Sequence, residues 1–251
     1  MDKYYIDNKS LYNLLVEKGV TALFHANTVL TSITFIRQRA LLSRKYIEQN
    51  NLIQTDQKSD EKDKKYGVWD DVFLDAFDIH KKFNNRNLYG PVMFVFKIEL
   101  LLSPSFSKAL VTRSNPINWT DALTNDEKYY SNIDQIKDDY LTGKKLDSQI
   151  MITLRNPDKC VKFNKFLKGI LVDKPSLIVP VKRKNGDITE GHLGDEVFKR
   201  LEEELKESGL GHIKIHKRHA LTRRLFCRCQ AQYNFLHIRN YEELRKLFRM
   251  N

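Results

Sequence analysis

The pattern of apolar and polar positions near the start of the chain predicts a strand followed directly by a helix. Residues 22–26 form an apolar run that includes a histidine near its end, and a short run of this kind is typical of a buried strand. From residue 28 to residue 41 apolar side chains recur with helical spacing, and Asn27 precedes them as an N-cap. A strand that leads His25 to a helix start could bind a ribose or an amide, although a lone histidine at a strand end is more commonly structural.

Elsewhere the same periodicities divide the chain into further helices and strands. Helices are expected at 8–18, 46–49, 126–141, 195–208 and 241–249, and strands at 92–102, 148–154, 166–172 and 213–216. The 92–102 segment is almost continuously apolar in its first half, so we expect it near the centre of a sheet. A basic hairpin turn is expected at 182–187.

Two consecutive segments follow neither period. Residues 54–65 are almost wholly polar, which predicts a solvated loop, and a loop of this length is often a lid over a ligand. Residues 66–80 combine large aromatic side chains with four aspartates and a histidine. Flat aromatic faces suit a ring-shaped ligand, and the acids could bind a metal, accept hydrogen bonds from hydroxyls or cap turns. A plain surface excursion and ordinary surface acids are the structural alternatives.

The balance of charge adds a polyanionic partner to this picture. The 251 residues include 43 Lys and Arg against 32 Asp and Glu, which gives a net charge of +11. An excess of this size favours binding to nucleic acid or to an anionic ligand, although simple solubility would also explain it. Three cysteines do not form a disulfide framework, and no apolar run reaches the roughly 18 residues of a membrane helix. We therefore expect a reduced, cytoplasmic protein with no signal peptide and no membrane partner.

The C-terminal third carries the densest positive charge. Residues 212–239 hold seven Lys or Arg and no Asp or Glu, and aromatic residues are interleaved among them. Cations that contact phosphates, beside rings on which bases can stack, are typical of surfaces that bind single-stranded nucleic acid. The residues predicted to contact nucleic acid are Lys182, Arg183, Lys184, Lys217, Arg218, Arg223, Arg224 and Arg228.

Two groups of potential metal ligands offer alternatives. A group of histidines and cysteines crowds the C-terminal third, but its spacings match no standard zinc finger. Its members are His212, His216, His219, Cys227, Cys229 and His237. The four aspartates of residues 70–78 could hold magnesium in a nuclease, yet no Glu-x-Lys or comparable partner follows on the next strand. We expect no metal site, and keep zinc binding and a magnesium-dependent nuclease as alternatives.

Nucleotide chemistry is indicated by the order of several short motifs. The chain has neither a GxGxxG nor a GxxxxGK[ST] motif, so a doubly wound dinucleotide fold and a P-loop are not supported. The Leu-Phe-His-Ala-Asn strand end at 23–27 is followed by an amphipathic helix that leads into Ala-Leu-Leu-Ser-Arg at 40–44. This succession resembles the opening of DarT-like ADP-ribosyltransferase toxins, NAD-dependent enzymes that modify nucleic-acid bases. The polar loop, the aromatic and acidic segment, the next apolar strand and the following helix extend the resemblance over about residues 20–175.

The resemblance implies an NAD-binding site. His25 would hold the nicotinamide-side ribose, and the main chain of the next two residues would pair with the amide. Tyr66 or Trp69 would stack on a ring. The residues implied to bind NAD are His25, Ala26, Asn27, Arg44, Tyr66, Trp69 and Asp71.

The resemblance also implies catalytic residues, with two departures from the family pattern. The glutamate that begins the family's catalytic strand corresponds to Gln149, which can hydrogen-bond a ribose but supplies no negative charge to an oxocarbenium-like transition state. The arginine of the family's loop has no direct counterpart, and Lys64, Lys65 and Arg44 lie nearest to its position. The implied catalytic residues are Gln149, His25 and Lys65.

For the chain as a whole, the resemblance implies an α+β fold in which helices surround a split, mixed or antiparallel sheet of the ADP-ribosyltransferase type. The catalytic domain is expected at 1–178, and a basic α/β C-terminal portion at 179–251 would supply the nucleic-acid-binding surface. The implied reaction transfers ADP-ribose from NAD to a base of RNA or single-stranded DNA. The implied biology is a toxin or antiphage effector paired with an antitoxin protein. A metal-dependent nuclease and a non-catalytic nucleic-acid-binding module remain the alternatives.

Overall fold

A computed structural model describes residues 1–82, 89–106, 108–141, 150–154, 160–183, 185–219 and 229–249. Its helices are α1 (Asn8–Glu17), α2 (Val29–Gln38), α3 (Arg44–Gln49), α4 (Asp60–Lys65), α5 (Ile79–Lys82), α6 (Asn125–Lys128), α7 (Ile133–Leu141), α8 (Leu193–Glu207), α9 (Cys229–Arg239) and α10 (Tyr241–Phe248). Its strands are β1 (Ile6–Asp7), β2 (Ala22–Asn27), β3 (Ala40–Leu42), β4 (Val72–Asp75), β5 (Val92–Lys97), β6 (Lys108–Thr112), β7 (Met151–Leu154), β8 (Cys160–Lys162), β9 (Leu167–Lys174), β10 (Ile178–Lys182), β11 (Ile188–His192) and β12 (Ile215–His219). Within these ranges no helix is both long enough and apolar enough to cross a membrane.

Eight of the strands form one sheet, in the order β1-β6-β7-β4-β2-β5-β9-β12. Neighbouring strands run antiparallel except β9 and β12, which run parallel. The mixed sheet and its surrounding helices confirm the predicted α+β fold. Strand β5 lies near the centre, and its residues from Val92 to Phe96 are all buried, as its continuous apolar run predicts.

The helix that follows β2 is shorter than its pattern predicts at both ends. Thr28, rather than the expected Asn27, is its N-cap, and the Thr28 hydroxyl accepts a hydrogen bond from the Thr31 main-chain N–H. A cap of this kind is typically worth about 1 kcal/mol. At the other end Arg39 adopts a left-handed conformation with φ of 54°, which stops α2. The apolar residues expected to continue the helix form β3 instead, paired with β8.

Two further predicted elements are divided in the structure. Residues 98–102 form a 3-10 helix after β5 rather than a continuation of the strand. The helix expected at 126–141 becomes α6 and α7. It breaks because the intervening tyrosines pair with β6: Tyr129 forms a bridge with Thr112, and the Tyr130 N–H donates to the Val111 carbonyl at 3.0 Å.

The remaining differences between the structure and the sequence prediction lie in segments with little apolar periodicity. The polar segment 54–65 is not solvated throughout, because it contains α4 and the buried side chains of Thr55 and Asp63. Strand β6 and helix α9 are absent from the sequence prediction. The apolar residues of α9 do not fall on one face, so the helix has little amphipathic signal.

The C-terminal portion is packed onto the main sheet. Strand β12 pairs with β9 from Ile215 to His219, and α8, which precedes it, packs on α2 and β9. One continuous cluster of buried apolar side chains includes both Ile6 and Phe248. The division at residue 178 stays a prediction, but the two portions that it separates share this core.

Candidate functional site

A cleft opens where strands β2 and β4 separate. In the described strands the two pair at one position, Phe24 opposite Asp75, whereas β2 stays paired with β5 as far as Asn27. The end of β2 therefore has a strand on one side and open space on the other. The cleft encloses about 840 Å³ of empty space, including the part continuous with solvent.

His25 enters this separation with a fixed tautomer. Its Nδ1 lies 2.8 Å from the main-chain carbonyl of Phe73 on β4, and because a carbonyl only accepts, Nδ1 carries the proton. Burial lowers the pKa of His25 to about 4, against the opposing effect of the Phe73 hydrogen bond. The ring is therefore neutral at pH 7, and its Nε2 is an acceptor that lies 3.4 Å from the amide nitrogen of Asn27. A ligand hydroxyl that displaced the Asn27 amide would find a hydrogen-bond acceptor here.

A glycine allows a second backbone segment to approach the end of β2. Gly90 has a φ of +117°, and a Cβ at this position would collide with the main-chain carbonyl of Asn27. The preceding residue, Tyr89, lines the cleft and accepts a hydrogen bond from the side chain of Asn115. Burial raises the pKa of Tyr89 to about 12, so the hydroxyl stays protonated and can donate at neutral pH.

Arg44 carries unused hydrogen-bond donors beside the cleft. Its Nη2 donates to the Thr55 carbonyl at 3.0 Å and to Asp60 at 2.6 Å, and its guanidinium lies 5.2 Å from the centre of the Trp69 ring. The side chain is 14% exposed. Its buried Nε and Nη1 have no hydrogen-bond partner among the described residues. Two unsatisfied donors on a held guanidinium suit a phosphate or a carboxylate of a ligand.

Three buried carboxylates also line the cleft: Asp63 from α4, Asp71 before β4 and Asp75 at the end of β4. Burial raises the pKa of Asp63 to about 6. Asp63 was missed by sequence reasoning because it lies in the segment interpreted as a solvated loop. The lining therefore combines an arginine, a neutral histidine acceptor and carboxylates.

Most of the residues predicted to bind NAD meet at this one cleft. Those that line it are His25, Ala26, Asn27, Arg44, Trp69 and Asp71. Tyr66 does not, because its ring packs against Trp119 and its hydroxyl donates to the Trp119 carbonyl at 3.1 Å. Lys65, predicted to be catalytic, also lies outside: its ammonium is paired with Asp121 at 2.6 Å, and 55% of its side chain is exposed.

The predicted catalytic position Gln149 lies outside the described residues, so its distance from His25 stays a prediction. The described part of that strand begins at Met151, which lines the cleft. Met151 is paired with Asp75 of β4, so a carboxylate stands beside this end of the strand.

The four aspartates considered for a nuclease do not share a site. Asp70 forms an ion pair with Lys45 at 2.9 Å. Asp78 accepts two hydrogen bonds from a buried arginine at 3.0 and 2.7 Å. Among the described residues, the group of three potential metal ligands is instead His80, Asp173 and Cys229, which shares Cys229 alone with the two groups considered in the sequence.

The residues predicted to contact nucleic acid have different environments. Arg218 is wrongly assigned to the surface: it is 1% exposed, because its guanidinium is the one that binds Asp78. Lys217 is half-buried and pairs with Asp195 at 2.7 Å. Four others lie outside the described residues, namely Lys184, Arg223, Arg224 and Arg228.

The two remaining cations, Lys182 and Arg183, line a groove between the β10–β11 hairpin and helices α8 and α10. We call it the basic groove, and its charged residues are Lys182, Arg183, Lys199, Arg200, Arg249, Glu196 and Glu203. Glu196 neutralises Arg183 at 2.9 Å. Burial lowers the pKa of Arg200, and burial with the neighbouring Arg200 and Arg37 lowers that of Arg249. An anion bound in the groove would relieve the repulsion between these neighbouring guanidinium groups.

No protein-family model and no curated protein matches the sequence. The comparison with solved structures returns DarT of Thermus sp. 2.9, from the family that the sequence motifs resemble. Its complex with ADP-ribosylated single-stranded DNA has 7% sequence identity and a TM-score of 0.48, over 83% of this chain and 97% of that one. Its complex with carba-NAD⁺ has 7% identity and a TM-score of 0.42, over 82% and 98%. Likenesses at this level assign no ligand and no residue role to this chain.

Proposed function

We propose that the chain is an NAD-dependent enzyme that transfers ADP-ribose to a base of a nucleic acid. The observation that carries this proposal is the meeting of three separate stretches around one cleft. These stretches are residues 25–27, Arg44, and Trp69 with Asp71, and the motif resemblance implies that each of them binds NAD. A cleft assembled in this way from distant residues is typical of a ligand site.

Each group in the cleft has a role in this assignment. The Nε2 of neutral His25 accepts a hydrogen bond from a hydroxyl of the nicotinamide-side ribose. The main chain of Ala26 and Asn27 pairs with the nicotinamide amide. Arg44 donates from Nε and Nη1, its two unsatisfied nitrogens, to the pyrophosphate. Trp69 offers a ring face and fixes the plane of the guanidinium.

The proposed reaction needs negative charge near the ribose. The bond between nicotinamide and the ribose C1′ breaks with its electron pair on nicotinamide, and a nitrogen of the target base forms the new bond and loses a proton. An oxocarbenium-like transition state is stabilised by a nearby anion. Gln149, which the motif places at this centre, is neutral, and Asp71 and Asp75 are carboxylates on the same cleft.

The basic groove is the proposed contact for the phosphates of the acceptor. One solved neighbour was captured with ADP-ribosylated single-stranded DNA and another with an NAD analogue. For this chain both RNA and single-stranded DNA are candidate acceptors. A toxin or antiphage role in the cytoplasm, opposed by an antitoxin protein, is the biological part of the proposal and follows from the motif resemblance.

The test is incubation of the full chain with NAD labelled in its adenosine moiety, together with separate RNA and single-stranded DNA oligonucleotides. Transfer of label to an oligonucleotide, with release of nicotinamide, supports the proposal and identifies the acceptor. Magnesium-dependent cleavage without label transfer would support the nuclease. A mobility shift without either reaction would leave a binding module.

A further inference from the structure

An open depression lies across one face of the main sheet, over strands β2, β5 and β9. The paired residues Phe24, Val95 and Gly169 share this face. Their neighbours Leu23 and Phe94 point to the opposite face and are fully buried in the core. The empty space in the depression is about 1270 Å³, including the part continuous with solvent. One face of these central strands is therefore core, and the other lines an open surface.

The floor of the depression is apolar, and a glycine keeps it low. A Cβ at Gly169 would lie 2.8 Å from the main-chain oxygen of Lys214, so glycine lets the chain before β12 approach β9 closely. It also leaves no side chain at this point of the floor. The half-buried side chains of Phe24 and Leu171 lie to either side. We call this the β2–β9 surface, and its apolar residues include Ala22, Phe24, Val95, Leu171 and Ile213.

The β2–β9 surface has four basic side chains and, among the described residues that line it, no carboxylate. The four are Lys168, His212, Lys214 and His216. All of them are exposed. Farther along β9 and β12 the cations are neutralised, because Lys174 and Lys217 both pair with Asp195, at 2.9 and 2.7 Å. Within the described ranges the four basic side chains have no such ion pair, so their charge is available to a partner.

Apolar residues beside unpaired cations define the chemistry of that partner. It must present apolar and acidic side chains next to one another, and an amphipathic helix with acids along the border of its apolar stripe does so. Single-stranded nucleic acid fits less well, because its bases stack on several rings. Among the described residues that line the surface, Phe24 is the one Phe, Tyr or Trp. The net charge of +11 also favours an acidic partner.

We propose that the β2–β9 surface binds an acidic amphipathic helix of a partner protein. The apolar stripe of the helix lies over Phe24, Val95 and Leu171. Its Glu and Asp side chains meet Lys168 and Lys214. The surface shares no lining residue with the proposed NAD cleft, so this binding does not compete for the same groups. The proposal therefore stands independently of the proposed reaction.

The experiment measures binding of labelled peptides to the full chain by fluorescence anisotropy, without NAD. The probe is a peptide of about 14 residues, roughly four helical turns, with Leu at helical spacing and Glu on both borders of the Leu stripe. One comparison peptide has Lys in place of Glu, and another has Ala in place of Leu. We expect each replacement to weaken binding by about tenfold, because charge and apolar contact both contribute.

Two double variants, each lacking two exposed lysines, are matched for charge. Lys168→Gln with Lys214→Gln should weaken binding of the Leu/Glu peptide by about fivefold. Lys9→Gln with Lys108→Gln, at the opposite edge of the sheet, should leave it unchanged. Leu171→Gln should weaken binding through the apolar floor. A cooperative thermal unfolding transition establishes that each variant is folded.

Wild-type protein decides the case if a variant does not fold. Absence of binding of the Leu/Glu peptide would overturn the proposal, and so would equal binding of the peptide with Ala in place of Leu. Equal losses in the two double variants would mean that net charge determines binding, which also contradicts it. A labelled single-stranded oligonucleotide is measured in parallel. If it binds while the peptide does not, and Lys168→Gln with Lys214→Gln abolishes this binding, the surface contacts nucleic acid and the proposal is wrong.

Discussion

The cleft beside β2 and the basic groove use charge in opposite ways. In the cleft, Arg44 is held by Asp60 and by the Thr55 carbonyl, and His25 is kept neutral by burial. In the groove, burial lowers the pKa of Arg249, and the neighbouring guanidinium of Arg200 lowers it further. The cleft therefore offers a few groups in fixed positions, and the groove offers an excess of positive charge.

The cleft is thus suited to positioning a reacting group, and the groove is suited to attracting a polyanion. A rigid site with matched polar groups acts on the rate of a reaction, because groups in place need no reorganisation. A surface with uncompensated cations acts on the affinity for a polyanion, and its effect weakens as salt rises. Variants of the two regions should accordingly change different measurements.

The largest effect is expected for His25→Ala, which removes the only group proposed to bind the ribose hydroxyl from β2. Label transfer from NAD should fall at least about 100-fold, a loss typical for a positioned polar group in a reaction site. His212→Ala, which alters an exposed histidine, is the matched control and should leave transfer unchanged. Undiminished transfer in a folded His25→Ala protein would refute the role of His25.

The next effect tests the groove. Arg200→Ala combined with Arg249→Ala should weaken binding of a single-stranded oligonucleotide at low salt by about tenfold. The slope of log K against log[salt] should become shallower by roughly 0.7 for each phosphate contact that is lost. NAD binding should not change. The control changes the same number of charges at the opposite edge of the sheet, with Lys9→Ala and Lys108→Ala. Equal losses in both double variants would mean that net charge, and not the groove, determines affinity.

A smaller effect, of a few-fold, is expected for Gln149→Glu. A carboxylate at this position should retain or raise the rate of label transfer, because it adds negative charge beside the developing ribosyl cation. Gln149→Ala serves as the comparison, since it removes both the charge and the hydrogen bond. A sharp fall in Gln149→Glu would mean that the amide itself is required.

The smallest effect concerns stability against pH. The pKa of His25 is about 4 in the folded chain and near 6.5 in the unfolded one, so the unfolded state binds more protons between these values. Its contribution to stability is lost as the pH falls through this window. Asp63, whose pKa is raised to about 6, has the opposite sign, and its contribution is lost as the pH rises from about 4 to 6.

Urea unfolding at pH 4.5 and 6.5 checks these signs. His25→Ala should make the loss of stability on acidification smaller, by on the order of 1 kcal/mol. Asp63→Asn should make that loss larger. A His25→Ala protein with an unchanged pH dependence would show that the histidine is not protonated differently in the two states.

The sequence predicts features that depend on neighbouring residues better than it predicts features that depend on distant ones. The end of β2 and the start of α2 follow from local pattern, and local pattern also brings His25, Ala26 and Asn27 together. The direction in which a side chain points is harder to predict. Tyr66 and Trp69 are three residues apart, but Gly67 between them has a φ of +71°, and the two rings enter different places, one against Trp119 and one beside the cleft.

Charge runs were the least reliable guide, because a run does not reveal its partners. Arg218 belongs to a basic stretch, yet its carboxylate partner Asp78 lies 140 residues earlier in the sequence. Asp63 shows the same limitation for an acidic residue, because the polar pattern of its segment does not indicate that this side chain is buried. Only the assembled sheet brings such pairs together.

The parallel pairing of β9 with β12 has a consequence for how the molecule can be divided. A fragment ending at residue 178 would lack the last strand of the sheet, and β9 would become an exposed border with unpaired main-chain groups. Its Ile170 and Val172 are buried in the intact protein. Such a border favours self-association, so a shortened chain should precipitate, and a split of this protein into two soluble pieces should require both to be produced together.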